Sequence, residues 1–303
     1  MHLLLPEDIL QKYYKAGKIA SEVRGAARNM VRETMPIIEV CEKVESMIRE
    51  KGGQPAFPCN ICINDVAAHY TSPPSDTNVI PNGSLVKVDL GVHIDGYIVD
   101  TATTVCLNPE YAPLFEAAEN AINKAFKSIR DGAKASEVGG LIQTTIESYG
   151  FKPIWNLNGH KMVRFTLHAG KSIPNVSRLN GTKIEADEVY AIEPFVTYKN
   201  ANGKVVDSTE TFIYRYVKER PQKEEGAKLL LQKIKTEFYT LPFSKRWIYN
   251  ELPPEEFEGA FNELLYSRAL MAYPVLVEES GNIVAQVEHT VIVTENECIV
   301  LTI

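Results

Sequence analysis

Val88-Asp89-Leu90-Gly91-Val92-His93-Ile94-Asp95-Gly96-Tyr97-Ile98-Val99-Asp100-Thr101-Ala102 is a pair of apolar segments joined by Asp-Gly. Asp-Gly flanked by alternating apolar residues is the strongest short-range signal for a hairpin with a two-residue turn. With Asp95 and Gly96 in the turn, Ile94 pairs with Tyr97, Gly91 with Asp100 and Asp89 with Ala102. Asp89 and Asp100 then lie on one face as diagonal neighbours, their β-carbons roughly 7 Å apart or less. Both can reach one metal ion. A carboxylate among apolar strand residues is costly unless it is paired or protonated, so the two together call for a cation. Taken alone, the pair also fits an edge hairpin with both side chains in water.

The chain has 303 residues, enough for one large domain or a large domain carrying an insert. Its charged and apolar fractions, 23% and 45%, are those of an ordinary globular protein. A net charge of −7, without a run of Lys or Arg, argues against nucleic acid and anionic membrane as partners. Met1-His2-Leu3-Leu4-Leu5-Pro6-Glu7-Asp8 has neither a basic leader nor a membrane-length apolar run, so a cytoplasmic protein is expected. Five cysteines, an odd number, agree with a reducing compartment rather than a disulfide framework. The Asn-x-Ser/Thr matches at Asn82, Asn175 and Asn180 then carry no glycan.

Outward from the hairpin, residues 6 to about 33 place Ile9, Tyr13, Ala16, Ile19, Ala20, Val23 and Ala27 at helical spacing, with Pro6 suited to a first turn. A second helix is expected from 37 to about 51, stopped by Gly52-Gly53, and an extended segment over 57–70. Further helices are expected over 109 to about 129 and 135 to about 149. Strands are expected at 189–192, 211–217 and within 283–303, where 294–297 reads as a turn. Helices mixed with a mainly antiparallel sheet favour an α+β fold.

Residues 219–282 interrupt this pattern, with helical spacing over 224–236 and 255–270 and short strands expected at Trp247-Ile248 and 273–277. They read as a helical, winged-helix-like insert subdomain between the two parts, 1–218 and 283–303, of the main domain. The shape raises DNA binding, but the glutamates of the insert outweigh its basic residues, which favours a structural appendage.

Three more candidate ligands stand in apolar surroundings. His160 follows Asn158-Gly159, where glycine would let the backbone turn sharply; Glu193 lies in Ala191-Ile192-Glu193-Pro194-Phe195, and Glu288 in Gln286-Val287-Glu288-His289. Either glutamate alone could be a salt-bridged strand residue. Together Asp89, Asp100, His160, Glu193 and Glu288 give four carboxylates and one imidazole, a donor set suited to Mn²⁺, Fe²⁺, Co²⁺ or Zn²⁺ and to a two-metal site about 3.5–4 Å across. Cys59-Asn60-Ile61-Cys62 lacks the second pair a structural zinc needs. No phosphate loop, Gly-x-Ser-x-Gly elbow or His-Glu-x-x-His pair is present in the sequence.

The hairpin, with Asn158-Gly159-His160, Ile192-Glu193-Pro194-Phe195, Ala285-Gln286-Val287-Glu288-His289-Thr290 and Ala67-Ala68-His69-Tyr70, resembles the methionine aminopeptidases, most closely the type II class of archaea and eukaryotes. The resemblance runs over nearly the whole chain. It implies the creatinase-like pita-bread fold, with two pseudo-symmetric α+β halves around the metals and, in type II members, a helical insert between the last two glutamate ligands. It further implies that Asp89 chelates one metal, that Asp100 and Glu288 bridge both, and that His160 and Glu193 complete the other.

The implied activity is removal of the N-terminal methionine from nascent proteins when the second residue is small. The metals would activate a hydroxide that attacks the Met carbonyl, with Glu193 as general base. His168 would stabilise the oxyanion, His69 would face the substrate and its peptide nitrogen, and Phe57 would wall the methionine pocket. Read without the resemblance, His69 is equally a core histidine, His168 a turn cap and Phe57 a core aromatic. His289, one residue past a ligand, points away by strand periodicity, and His93 has no assigned role.

The expected partners are N-terminal Met-peptides, with the ribosome as a docking candidate, and the resemblance implies a monomer. Two alternatives carry the same fold: an X-Pro aminopeptidase or prolidase, and a non-catalytic pita-bread protein that binds RNA or proteins. The first normally carries a long amino-terminal domain without counterpart here; the second loses metal ligands, and none is lost.

Overall fold

The computed structural model describes residues 5–179 and 181–303. The leader reading of Met1 to Leu4 and the Asn180 sequon fall outside the described residues. Helix α1 (Glu7–Met30) follows Pro6 and buries Tyr13, Ala16, Ile19, Ala20, Val23 and Ala27, the stripe its spacing predicts. It stops short of residue 33 because Val31 is extended. Helix α2 (Ile37–Glu50) ends ahead of Gly52, whose φ of 80° few other residues tolerate.

Strands β1 (Gln54–Ile63), β2 (Val66–Ala68), β3 (Leu85–Ile94) and β4 (Tyr97–Cys106) follow. β3 and β4 pair in the expected register, with Ile94 opposite Tyr97, Gly91 opposite Asp100 and Asp89 opposite Ala102. Asp95 and Gly96 both have positive φ, 50° and 84°, as a type I′ turn requires. On the other edge of β3, β1 pairs with register shifts on either side of Phe57 and before Asn60. Such bulges re-aim side chains, and Gly91, opposite Phe57, leaves the space its ring occupies.

A short turn of 3-10 helix leads from Pro109 into α3 (Ala112–Phe126), and α4 (Ala135–Ser148) packs beside it. The chain continues through β5 (Phe151–Pro153), β6 (Asn158–Met162), β7 (Ser172–Pro174), β8 (Val189–Ile192), β9 (Phe195–Tyr198) and β10 (Val205–Tyr216). Next come α5 (Glu225–Glu237), β11 (Pro242–Ser244), α6 (Lys245–Ile248) and α7 (Pro254–Tyr266). The last strands are β12 (Leu270–Glu278), β13 (Val284–Gln286), β14 (His289–Val293) and β15 (Cys298–Val300).

The described strands form four sheets, ordered β1-β3-β4, β11-β10-β12-β2, β13-β9-β5 and β15-β14-β8-β6-β7, and the pairings are antiparallel throughout. One core joins α1 and α2 to β1, β3 and β4; a second joins α3 and α4 to residues of β8, β9, β13 and β14. The mixture is the α+β arrangement expected. Among the described residues no helix is long and apolar enough to cross a membrane.

Two local expectations change. His160 comes from strand β6 rather than a sharp turn: Gly159 is needed because a β-carbon there would strike the Ala191 carbonyl of neighbouring β8. Trp247-Ile248 is helical, in α6, not a strand. The cause is Glu45 on α2, which accepts from both Arg246 Nη atoms at 2.9 and 2.8 Å and from Trp247 Nε1 at 2.7 Å. Consecutive residues reaching one carboxylate do not fit a strand, whose side chains alternate. The strand expected at 273–277 forms within β12, which pairs with both β10 and β2.

The side chains of Glu45 and Arg246 are only 2% and 8% exposed, and removing one partner of a buried pair strands the other's charge. Glu45→Ala is expected to cost about 3–5 kcal/mol. Equilibrium urea unfolding measures it, and a loss below about 1 kcal/mol would contradict a buried clamp.

Candidate metal centre

The eight residues named from the sequence, Phe57, His69, Asp89, Asp100, His160, His168, Glu193 and Glu288, line a single cavity of about 70 Å³. One water needs only some 10–15 Å³, so the space suits ions and their bound water better than a lone solvent molecule. Backbone links fix the floor. Ala102 and Glu288 exchange N–H to carbonyl bonds of 3.2 and 3.0 Å, tying β4 to the segment ahead of β14. Thr290 Oγ1 accepts from the Asp100 N–H at 2.7 Å and donates to the Asp100 carbonyl at 2.8 Å.

Ligand atoms of Asp100, His160 and Glu288 all lie within 4.8 Å of one another. His160 Nε2 is 3.6 Å from both Asp100 Oδ2 and Glu193 Oε1. His160 Nδ1 donates to the Leu167 carbonyl at 2.8 Å, which leaves Nε2 unprotonated and facing the carboxylates, the tautomer a metal ligand needs. Burial pushes the imidazole down to about 4, so it stays neutral.

Burial, followed by the neighbouring carboxylates, holds Asp89, Glu193 and Glu288 well above the usual carboxylate range. Burial raises Asp100 to about 8. Asp89 Oδ1, Asp100 Oδ1 and Glu288 Oε1 are buried without a hydrogen-bond partner. Three orphaned carboxylate oxygens on residues that line one cavity with the His160 imidazole fit divalent cations, which would satisfy the oxygens and remove the repulsion.

Beyond this floor, His69 Nδ1 donates to the Pro274 carbonyl at 3.1 Å, and its ring meets Tyr273 edge-on at 5.6 Å. Burial lowers its pKa. His168 lies 4.3 Å from His160, ring to ring, and is pushed down to about 2 by burial and the nearby His160, His69 and Arg215. Phe57, Ala68, Ile213, Leu167 and Pro242 supply the apolar wall.

Several contributors were not read from the sequence. Asn60 Nδ2 donates to Asp89 at 3.3 Å, and Gln286 Nε2 donates to Glu288 at 3.0 Å. Gln286 stands two residues before Glu288, so strand parity carried a signal for it. Asn60 is visible only after the bulged pairing of β1 is known, and Ile213, Pro242 and Tyr273 arrive from β10, β11 and β12 through long-range pairing. His289 faces Arg24 and Thr302, away from the cavity as strand parity predicts. His93 accepts from the Gly96 N–H at 3.0 Å and steadies the hairpin turn.

Known proteins resemble this chain over nearly its whole length. The model of metallopeptidase family M24 matches residues 11–295, which makes the chain a metallopeptidase of the creatinase-like pita-bread fold. A methionine aminopeptidase of Methanothermobacter thermautotrophicus is 45% identical over 297 residues, 97% of this chain and 99% of that protein. Among solved structures, that of a thermophilic Arx1 superposes with a TM-score of 0.85 at 18% identity, over 98% of this chain and 91% of its own. The methionine aminopeptidase of Rickettsia prowazekii gives 0.70 at 19% identity, over the whole of both chains. This chain belongs to the methionine aminopeptidases of family M24.

A raised carboxylate pKa has a measurable sign. Asp100 titrates near 8 when folded without metal and near 3.9 when unfolded. Its contribution to stability is therefore full below about pH 4 and lost as pH rises toward 8. In chelator-stripped protein, Asp100→Asn is expected to raise the Tm relative to the unsubstituted chain, by an amount that grows from pH 5 to pH 8. An unchanged or lower Tm at pH 8 would contradict this.

Proposed function

We propose that this chain releases the N-terminal methionine from peptides and nascent proteins, preferring a small second residue. The observation that carries the reading is the cluster of Asp89, Asp100, His160, Glu193 and Glu288 beneath an apolar wall of Phe57, Ile213 and Pro242. An unbranched thioether side chain suits such a wall, since Met adapts to irregular apolar and aromatic surfaces. Asp89, Asp100, His160, Glu193 and Glu288 would hold the divalent cations. Bound there, Co²⁺, Mn²⁺, Fe²⁺ or Zn²⁺ would bring the pKa of water toward neutrality and polarise the carbonyl of the first residue.

Glu193 takes the proton of the attacking water and returns it to the leaving amine. His168, neutral because of its burial, donates its ring N–H to the developing oxyanion. His69 holds its proton on Nδ1, toward the Pro274 carbonyl, so Nε2 accepts the N–H of the second residue. The rings of His69, His168 and Tyr273 crowd that residue and favour a small side chain.

Chelation should abolish methionine release from Met-Ala-Ser, and restoring each metal in turn should recover it while Ala-Pro-Ala stays uncut. Cleavage of Ala-Pro-Ala alone would move the chain to the prolidase branch, and no cleavage with any metal would favour a binding protein. In steady-state kinetics, His168→Ala is expected to lower kcat by about 10²–10³, the usual worth of one oxyanion donor. A change confined to KM would assign His168 to binding only.

A further inference from the structure

A second cavity, of about 260 Å³, opens beside the metal centre and shares Leu167, His168, Pro242 and Tyr273 with it. Arg215 and Met271 lie on its far side, and among the described residues no Asp or Glu lines it. The Arg215 guanidinium approaches Met271 Sδ at 3.7 Å and stands beside the Tyr273 hydroxyl. It forms no ion pair with a carboxylate among the described residues. In a chain of net charge −7, this cavity carries one formal charge, and it is positive. Steps of 4.3 Å from the His160 ring to His168 and 6.3 Å from His168 to Tyr273 lead from the candidate metal site to it. At 3.3–3.6 Å per extended residue, that path is about three residues long.

We propose that Arg215 forms a carboxylate-selecting subsite for the substrate beyond its second residue, so that a carboxylate near the third position speeds turnover. The inference rests on the methionine-releasing reading above. A guanidinium offers several N–H donors in a fixed plane, matched to a carboxylate and poorly matched to a lysine ammonium. The carboxylate has two sources, an Asp or Glu side chain at the third residue or the free C-terminus of a tripeptide.

The test compares kcat/KM for Met-Ala-Glu-Ser-amide, Met-Ala-Gln-Ser-amide and Met-Ala-Lys-Ser-amide, and for Met-Ala-Gly as free acid and as amide. The metal-loaded enzyme should favour Glu over Lys by about fivefold at low salt, as a partly exposed ion pair allows, and less at high salt. Arg215→Met should level the series and Arg215→Glu should reverse it. Ratios within one variant cancel any general loss of active protein. A free-acid advantage for Met-Ala-Gly identifies the terminal carboxylate as a second source; its absence confines the subsite to side chains. Methionine release with no ranking, or with the same ranking in Arg215→Met, overturns the subsite and leaves the activity standing. No release from any of these peptides overturns both.

Discussion

Asp89, Asp100, Glu193 and Glu288 cannot all be ionised in one buried cavity without positive charge. Two like charges 4 Å apart repel by about 4 kcal/mol even at an effective dielectric constant near 20, and four multiply the cost. Protonation relieves it in the metal-free chain, which is why these groups are raised above the usual carboxylate range. Divalent cations relieve it in a way that makes the site chemically useful. The site therefore costs stability in the metal-free chain, a trade found where function sets the residues.

The fold pays for this concentration of charge with rigid backbone around it. Asp89 and Asp100 ride on one hairpin, His160 on β6, and Glu288 on a segment bridged to β4. Thr104 Oγ1 accepts from the Gln286 N–H and donates to the Gln286 carbonyl, fixing the residue whose side chain holds Glu288. Further along β3, the fully buried Lys87 donates to the Asn64 and Val284 carbonyls and locks β13 to the turn between β1 and β2. Strands placed this firmly hold ligands more accurately than loops do.

The hairpin was legible because its determinants are local: Asp-Gly, alternating apolar residues, and a register that follows from the turn. The candidate ligands that line the cavity were legible for a related reason, since each is an acidic residue or histidine out of place in an apolar run. What stayed hidden depends on distant partners. Trp247 has strand-like neighbours, yet its helix is set by Glu45 two hundred residues away in sequence. Asn60 enters the site through a bulge that no pattern in β1 announces. Pro242 and Tyr273 are unremarkable residues until β10 brings β11 and β12 to the cavity.

Anomalous diffraction from crystals grown with Mn²⁺ or Co²⁺ tests the proposed two-metal site. Two peaks about 3.5–4 Å apart are expected, in the cavity lined by Asp89, Asp100, His160, Glu193 and Glu288. A single peak, or peaks away from His160 and Glu193, would contradict it.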